Sequence, residues 1–532
     1  MRKLVNWVIL VALLCSSNLL AGTYYVDDSN GNDSWNGTSP VYVSGNTGPF
    51  KTIRRGVQNA YNNNNTVMVA DGIYCGNDNL EVNFNGNFVT LKSDKGSQNC
   101  ILDFQGYNHN WYFDADVLIS GFTFKGIKYE NLSLYQQKKV VFDNCIFENN
   151  RPYGVNSLLK CYGQASLKLN KCSFRGNIIE QGCLVKSSGS SNLEIIGCQM
   201  TENTSRYNYF IISCGEDSNA IISDTQIEDN WNYYEANIQA IDCRGNANIE
   251  INGCTINDNY SYGSFSGVNC ENDANIVMSG CNISGNWAMR DVYGISVGNG
   301  STANLKIVDC VISENTANFS SESCAIKNRD CNSLQVVNCL ITGNNGGVDS
   351  YGDGQSSIIN CTIVENNIDH CTCYAIRGEM PVIVNNCIVK DNGDQQIEKN
   401  VVVSYSDISD NTDHIWPGVG NINADPLFAD VNNGDYHLLS QAGRWDPADE
   451  QWVRDDVSSP CIDAGDPADW VGDEPAGNGG RINMGYFGGT SQASKADYCT
   501  GVLPGDVNRD CLVNFIDFAL MTSDWLGSTI EP

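Results

Sequence analysis

The sequence has few charged residues, and basic residues are the scarcer kind. Only 17% of the 532 residues are charged, with 31 basic and 62 acidic side chains and a net charge of −31. Such a surface repels nucleic acid and anionic lipid, so neither is expected as a partner. It also disfavours polyanionic substrates unless a cation or a local basic patch intervenes. Low charge with abundant Gly, Asn, Ser and Asp predicts an all-β protein with many turns.

Long apolar runs are missing beyond the N-terminus. Arg2 and Lys3 precede the apolar stretch at 4–14, and the small pair Ala21-Gly22 offers a cleavage point. This pattern is typical of an export signal and is too short to span a membrane. We therefore predict a signal peptide over 1–22. The mature chain is then secreted or at the cell surface and has no membrane span after cleavage.

The dominant feature present is a repeat of about 27 residues. Each copy is numbered here from an anchor, the second residue of its seven-residue motif, and anchors lie 22–29 residues apart. Nine of the ten anchors are Cys and the exception is Thr225. The copies are NCIFENN (144–150), KCSFRGN (171–177), GCQMTEN (197–203), DTQIEDN (224–230), GCTINDN (253–259), GCNISGN (280–286), DCVISEN (309–315), NCLITGN (338–344), NCTIVEN (360–366) and NCIVKDN (386–392).

The pattern within each copy predicts two short strands joined by a bend. Anchor and anchor+2 are small or apolar, as are anchor−3 and anchor−5. Within each pair the residues are two apart, as on the buried face of a strand, but the two pairs are three apart, so the chain must bend between anchor−3 and the anchor. Anchor−1 is Asn, Gly or Asp in nine copies, residues that tolerate a left-handed backbone, and Asn closes all ten copies at anchor+5. This describes a right-handed parallel β-helix solenoid over 65–400, with cysteine and asparagine ladders along its axis.

The cysteines are predicted to be buried thiols rather than disulfides. Side chains in register on parallel strands point the same way, which rarely suits the torsion of a disulfide. Thr225 also interrupts the anchor ladder after three cysteines, so full pairing is excluded there. We interpret the ladder as small core hydrophobes. A zinc site at His370, Cys371 and Cys373 is the weaker alternative.

The regions flanking the repeat predict caps for the two ends of the solenoid. In the N-terminal segment 23–64, Ile53, Val57 and Ala60 fall on one face of a short helix after PFKTI. The entry YYVDDSNGNDSWNGTSP with PFKTI resembles secreted pectate-lyase-like β-helix proteins. In the closing region 401–495, GNINADPLF, GDYHLL, SPCIDAGDP and NMGYFGG resemble the end of bacterial surface-anchored β-helix proteins. Both resemblances imply exposure to the outside rather than a particular reaction.

The last segment, 498–532, contains the most specific chemical motif. Oxygen ligands fall at positions 1, 3, 5, 7, 9 and 12 of a twelve-residue loop, a pattern that suits Ca²⁺. They are the side chains of Asp506, Asn508, Asp510, Asn514 and Asp517 and the carbonyl of Leu512. The loop and the apolar helix face after it resemble half of a dockerin, which implies a cohesin-like scaffold as partner. Cys511 replaces the usual glycine and a second half-repeat is missing, which puts docking in doubt.

An aromatic stripe is expected just past the asparagine turns, because stacked coils superimpose equivalent positions. Flat aromatic faces suit sugar rings, and arginine can contact acidic sugars. The alternative is that the rings pack under their own loops. The residues assigned to polysaccharide binding are Tyr207, Tyr209, Trp231, Tyr233, Tyr234, Tyr260, Tyr262, Trp287 and Arg290.

Carboxylates recur at anchor+4 in three consecutive coils, as Glu202, Asp229 and Asp258. Stacked carboxylates repel, so they raise a pKa or gather a cation, and their spacing is near that of retaining glycosidase pairs. Arg206 is the one basic residue beside them considered as a lyase base. The plain interpretation is solvated turn residues.

Two functions remain open on the sequence. The first is an extracellular β-helix protein that binds a polysaccharide and, in its catalytic form, degrades it as a lyase or glycoside hydrolase. It rests on fold analogy, the stripe and the dockerin-like tail. The second is a non-catalytic surface or adhesion solenoid. It rests on the lack of a nucleophile elbow, a phosphate loop, a metalloprotease helix and the signatures of pectin-hydrolysing β-helix enzymes.

Overall fold

In a computed structural model of the full chain, the described residues are 22–496 and the single positions 505, 513, 515 and 518. Short gaps interrupt the first range at 61–64, 85, 87, 130–131, 136, 155–156, 299, 320–321, 353, 367–373, 394–395, 399 and 410–413. The chain comprises two compact units, Met1–Asn269 and Cys270–Pro532. Both are built from coils of an all-β, right-handed parallel β-helix, so the predicted fold class is confirmed. Residues 1–21 of the proposed signal peptide, the six ligand positions of the predicted calcium loop, and His370, Cys371 and Cys373 lie outside the described residues.

Unit 1 contains four parallel sheets, here named A to D. Sheet A comprises Thr23–Val26, Asn65–Val69, Val89–Ser93, Val117–Ser120, Lys139–Asp143, Ser166–Asn170, Asn192–Ile196, Asn219–Ser223 and Asn248–Asn252. Sheet B comprises Gly72–Tyr74, Cys100–Asp103, Thr123–Lys125, Ile146–Glu148, Ser173–Arg175, Gln199–Thr201, Gln226–Glu228 and Thr255–Asn257. Sheet C comprises Ser133–Leu134, Leu159–Tyr162, Gly182–Ser188, Tyr209–Cys214, Ile238–Cys243 and Phe265–Cys270. Sheet D comprises Ile178–Ile179, Thr204–Ser205, Trp231–Asn232 and Tyr260–Ser261, and Val82–Asn83 pairs separately with Trp111–Tyr112.

Unit 2 repeats the same plan. Its sheet A comprises Asn275–Ser279, Asn304–Val308, Ser333–Val337, Gln355–Ile359, Val382–Asn385 and Val401–Ser404. Its sheet B comprises Asn282–Ser284, Val311–Ser313, Leu340–Thr342, Thr362–Val364, Ile388–Lys390 and Asp407–Ile408. Its sheet C comprises Val292–Val297, Cys324–Asn328, Val348–Ser350 and Ile376–Gly378, and its sheet D comprises Trp287–Ala288 and Thr316–Ala317. Two antiparallel hairpins follow, Phe428–Asp430 with Asp435–Leu438 and Arg444–Asp446 with Gln451–Val453; the 3₁₀ turn Val431–Asn433 lies in the first.

The core positions are those that the repeat predicts. In the first copy Cys145, Phe147, Phe142 and Val140 are fully buried. The chain turns its corner at anchor−1, where all ten residues have a positive φ between 49° and 61°. Even Lys171 adopts this conformation, at 51°. The bend is therefore set by the geometry of the coil, and Asn, Gly and Asp are the residues that adopt it at least cost.

The asparagine ladder is confirmed inside each unit. Asn203 is fully buried, and its Oδ1 accepts from the backbone N–H of Asn177 at 3.1 Å and from the Asn177 amide at 2.8 Å. Its own amide donates to the carbonyl of Phe174 and to Asn230 Oδ1. Each amide therefore satisfies backbone groups that the turn leaves without a strand partner.

The anchor cysteines form a second ladder, in which a side chain again accepts from a backbone N–H of the preceding coil. Cys145, Cys172 and Cys198 are buried free thiols in the structure. The backbone N–H of Cys172 donates to Cys198 Sγ at 3.4 Å, and that of Cys198 donates to Thr225 Oγ1 at 3.3 Å. Thr225 thus substitutes for Cys because its hydroxyl accepts the same bond.

The N-terminal cap is an α-helix, Ile53–Asn59, as the sequence predicts. Ile53, Val57 and Ala60 are buried beneath it. Thr52 caps its N-terminus, because its hydroxyl accepts from the N–H of Arg55 at 3.3 Å. A short second helix, Asn77–Leu80, contacts it through Asn79 Oδ1, which accepts from the N–H of Ile53. Among the described residues, no helix combines the length and apolar character that a membrane crossing requires.

The closing region covers the outer face of sheet B in unit 2. Leu438, Cys461 and Met484 pack on Ile388, and Tyr436 packs on Leu340 and Val364. The N–H of Tyr486 donates to Thr362 Oγ1 at 3.0 Å. This packing turns one face of the solenoid into a wall of a cleft, described below.

Candidate functional site

The predicted aromatic stripe exists in unit 1 and follows sheet D. Trp231 pairs in register with Thr204 on one side and Tyr260 on the other. Strands in this arrangement lie about 4.8 Å apart, so the two rings start from neighbouring backbone positions. Two residues further along, Tyr233 meets Trp231 edge to face at 4.5 Å, and Tyr262 meets Tyr260 in the same way at 5.1 Å.

The rings of the stripe face solvent. Tyr207, Trp231, Tyr233, Tyr234 and Tyr262 are all exposed, Trp231 at 36% and Tyr234 at 73% of their surface. Tyr260 is half-buried. Contiguous exposed aromatic surface of this kind marks interaction sites on soluble proteins. The exposed rings are therefore not packed beneath their own loops, which was the alternative that the sequence left open.

Buried polar side chains explain why the rings point outward. In the sheet D strands Ser205, Asn232 and Ser261 are fully buried, and the residue that follows each of them is exposed. The N–H of Tyr207 donates to Ser205 Oγ at 3.2 Å, and that of Tyr262 donates to Asn232 Oδ1 at 2.8 Å. The inward hydrogen bonds fix the loop and direct the aromatic residue away from the core.

Tyr209 is a wrong assignment. It begins the sheet C strand Tyr209–Cys214, pairs with Gly182 and Ile238, and is fully buried. Burial raises the pKa of its phenol far above the ordinary value. The loop from Ser205 to Tyr209 is two residues shorter than its counterpart from Asn232 to Ile238 in the next coil, so Tyr209 already belongs to the buried strand. Trp287 and Arg290 belong to unit 2, where Trp287 is half-buried and Arg290 is exposed.

The carboxylates at anchor+4 are turn residues. Glu202, Asp229 and Asp258 are exposed and have φ between 52° and 57°. All ten anchor+4 residues share a positive φ, so the position is defined by backbone conformation before any chemistry. Arg206 is exposed beside them. All four side chains are exposed, which favours the plain interpretation of these candidates.

Glu228, which the sequence did not single out, lies between two of these acids. It is half-buried at the end of a sheet B strand and accepts from the Asn257 amide at 3.4 Å. Burial raises the pKa of its carboxyl, and the charges of Asp229 and Asp258 raise it further. The charges at anchor+4 therefore add to the effect of burial on the neighbouring Glu228 carboxyl.

A cleft of about 950 Å³ in unit 2 is a second candidate site. The carboxylates of Glu314, Glu365 and Asp391 line it, at three anchor+4 positions. Its apolar surface comes from sheet B and the 3₁₀ turn, and amides complete it. These lining residues are Val311, Leu340, Val431, Asn432 and Asn433.

Tyr436 links the wall of this cleft to its acids. Its hydroxyl lies 2.9 Å from that of Thr342 and donates to Glu365 Oε2 at 3.1 Å. Burial and the nearby carboxylates raise the pKa of Tyr436 to about 12. Tyr436 therefore stays a neutral donor that holds Glu365 in a fixed position. Concave sites with a few convergent polar groups are where ligands most often bind.

A cationic cluster occupies the outer face of sheet C in unit 2. Lys327, Asp349 and Arg377 are in register on three successive strands. The Lys327 Nζ lies 2.6 Å from Asp349 Oδ2, and Arg377 donates two bonds to the same carboxylate. The two cations hold the pKa of Asp349 below its ordinary value despite burial. The Tyr351 ring lies 4.9 Å from the Arg377 guanidinium. The charged groups of the cluster are therefore engaged with one another and with this ring.

Among comparisons with known proteins, one family model agrees with this architecture. A family model described as "Right handed beta helix region" matches residues 105–265, 159–312 and 212–363. A model described as "Disaggregatase related" matches residues 301–465, a range that contains the lining residues of the cleft. No curated protein matches the chain. Among solved structures, the crystal structure of pectate lyase Pel9A is 12% identical, with 90% of this chain and 98% of that chain covered and a TM-score of 0.30.

Proposed function

We propose that this protein is exported and binds an extracellular polysaccharide along the aromatic stripe of unit 1. The observation that carries the proposal is the row of exposed rings on successive coils, Tyr207, Trp231, Tyr233, Tyr234 and Tyr262. The resemblance of residues 301–465 to disaggregatase-related proteins and the β-helix fold support a polysaccharide-related or surface role. Export is tested by the N-terminal sequence of the secreted protein, which should begin at about residue 23.

The expected ligand is a neutral glycan. Tyr and Trp give large, rigid contact surfaces that lose little conformational entropy on binding, and repeated rings suit a repeated ligand. The net charge of −31 and the exposed acids beside the stripe repel polyanions. A panel with neutral and acidic polysaccharides separates this expectation from one in which arginine selects acidic sugars.

Replacing Trp231 by alanine should weaken glycan binding at least tenfold, about 1.4 kcal/mol, because central aromatic residues dominate such surfaces. The measurement is titration of the wild-type and W231A proteins with the glycan that the wild type retains on an array. Tyr112, exposed on a different strand pair of unit 1, provides the control. Equal losses of affinity in W231A and Y112A would rule out the stripe as the glycan-binding site. If the wild type retained no glycan on the array, a non-catalytic adhesion solenoid that binds proteins would be the remaining function.

Hydrolysis in the cleft of unit 2 is the second candidate function, favoured by its three carboxylates. General acid and nucleophilic roles both need carboxylates positioned at a bound sugar. If the cleft is catalytic, Glu365→Gln should lower the release of reducing ends by about 100-fold or more. Glu250→Gln, at an exposed carboxylate of unit 1, should leave it unchanged. Turnover that survives in E365Q would exclude this site.

Calcium binding by residues 506–517 and docking through 498–532 stay proposals, supported by the spacing of the oxygen ligands. Calorimetric titration of the full chain with Ca²⁺ should show a binding heat that the Asp506→Ala, Asp517→Ala double variant lacks. The same heat in both proteins would place the ion elsewhere, and no heat in the wild type would remove the proposal.

A further inference from the structure

Three polar side chains converge where the solenoid of unit 2 ends. Lys390 closes the sheet B strand Ile388–Lys390, and Asp407 begins the next strand of that sheet. Ile422 forms a parallel bridge to Asp407, which brings Asn423 alongside. Residues that are 16 to 33 positions apart along the chain thus lie side by side on the covered face of the sheet.

An amine, a carboxyl and a carboxamide meet at this point. The Lys390 Nζ lies 2.9 Å from Asp407 Oδ1 and 3.0 Å from Asn423 Oδ1. The Asn423 amide nitrogen donates to the carbonyl of His414, which orients the side chain. Asp407 also accepts from the N–H of Ala424 at 3.0 Å and from the Cys461 thiol at 3.3 Å.

The surroundings of Lys390 and Asp407 are dry, and Asn423 beside them is half-buried. Asp407 is fully buried and Lys390 is 5% exposed, beneath a layer that includes Cys461. A buried ion pair is costly to maintain, so transfer of a proton from the ammonium to the carboxylate becomes accessible there. Burial raises the pKa of the Asp407 carboxyl, which favours the same transfer. The result is a neutral amine beside a carboxamide and a carboxylic acid.

We propose that Lys390 and Asn423 are joined by an intramolecular isopeptide bond, with Asp407 as the catalytic acid and base. Asp407 takes a proton from the Lys390 ammonium, and the neutral Nζ attacks Asn423 Cγ. The C–N bond to the Asn423 amide nitrogen breaks, and that nitrogen leaves as ammonia with one proton from Nζ. Asp407 returns its proton to the ammonia, so one ammonium ion is released and no oxidant or reductant is needed.

The hydrogen bond between Lys390 and Asn423 holds the two reacting groups side by side. Reacting atoms in pre-organised intramolecular reactions lie about 3–3.5 Å apart, and effective concentrations are very high. The Lys390 Nζ contacts the oxygen of the carbonyl that it would attack. The product would link the last strands of the solenoid to the start of the closing region.

Lys327 supplies a matched comparison within the same unit. It is buried like Lys390 and forms an ion pair with Asp349 at 2.6 Å, closer than the 2.9 Å between Lys390 and Asp407. Its other carboxylate neighbour is Glu322, at 3.7 Å, and Arg377 takes part in the same cluster. Each lysine thus has one close aspartate partner. The second partner of Lys327 is the carboxylate of Glu322, whereas that of Lys390 is the side-chain oxygen of Asn423.

The test is mass spectrometry of the intact, full-length purified protein, followed by a peptide map. The wild type should be lighter than its sequence by one ammonia, and a lysine-specific protease should yield one branched peptide joining the segments around Lys390 and Asn423. Lys390→Arg and Asp407→Asn should restore the sequence mass, whereas Lys327→Arg should keep the loss.

Cleavage after Lys390 in the wild-type map would overturn the proposal, even with an ammonia loss, because a succinimide at another asparagine has the same mass. A branched peptide that has lost water and joins Lys390 to Asp407 would overturn it as well. If a variant fails to fold, the wild-type map alone decides, since it requires no substitution.

Discussion

Replacing Asn203 by alanine is expected to lower the free energy of unfolding by about 3–5 kcal/mol, more than most single substitutions. The amide of Asn203 takes part in four hydrogen bonds, and its removal leaves donors of Asn177 and the carbonyl of Phe174 buried without their partner. Each buried polar group left in this way costs about 1–3 kcal/mol. Thermal and denaturant unfolding of the two proteins measure the difference.

Asn192 gives the control for this experiment. It is an asparagine on an exposed position of sheet A, so its replacement by alanine should change stability by less than about 0.5 kcal/mol. If N203A and N192A were equally stable, the ladder would contribute little, and the asparagine at anchor+5 would need another explanation.

Replacing Glu474 by glutamine should stabilise the protein at pH 8 and leave it little changed near pH 4.5. Glu474 is 9% exposed in the closing region, and its Oε1 accepts from the N–H groups of Asn483 and Gly489. Its Oε2 has no hydrogen-bond partner among the residues that the structure describes. Burial, with a smaller contribution from the charge of Asp463, raises the pKa of Glu474 to about 7.

The sign follows from proton binding. Between its unfolded pKa of about 4.3 and its folded pKa of about 7, Glu474 binds more protons in the folded protein, so stability falls as pH rises through this window. At about 1.4 kcal/mol for each pKa unit, a difference of this size corresponds to about 4 kcal/mol. Calorimetric melting from pH 4.5 to 8 should show a steeper decline in the wild type than in E474Q. Glu379→Gln, at an exposed carboxylate of unit 2, should keep the wild-type slope, and a wild-type slope in E474Q would contradict the assignment.

The periodic part of the fold was predictable because one coil fixes the next. The small or apolar residues at anchor, anchor+2, anchor−3 and anchor−5 identified the core. The Asn, Gly and Asp residues at anchor−1, which readily adopt a left-handed backbone, located the bend. The same regularity misled at anchor+4. Acids there suggested chemistry, whereas the backbone demands a positive φ at that position in every copy.

The sites that depend on the aperiodic segments were not predictable. The cleft needs the hairpin that carries Tyr436, and a segment without period gives no information about which coil it covers. The placement of Asn423 beside Lys390 depends on the same region. The cationic cluster left a signal that was missed, since Lys327 and Asp349 both lie twelve residues before their anchors.

Affinity electrophoresis through gels containing single polysaccharides tests the central claim most directly. The wild-type protein should be retarded by at least one neutral glycan, and a variant with Trp231, Tyr233 and Tyr262 replaced by alanine should migrate as in a gel without glycan. Y112A should be retarded like the wild type. Equal retardation of the wild type and the triple variant would contradict glycan binding along the stripe.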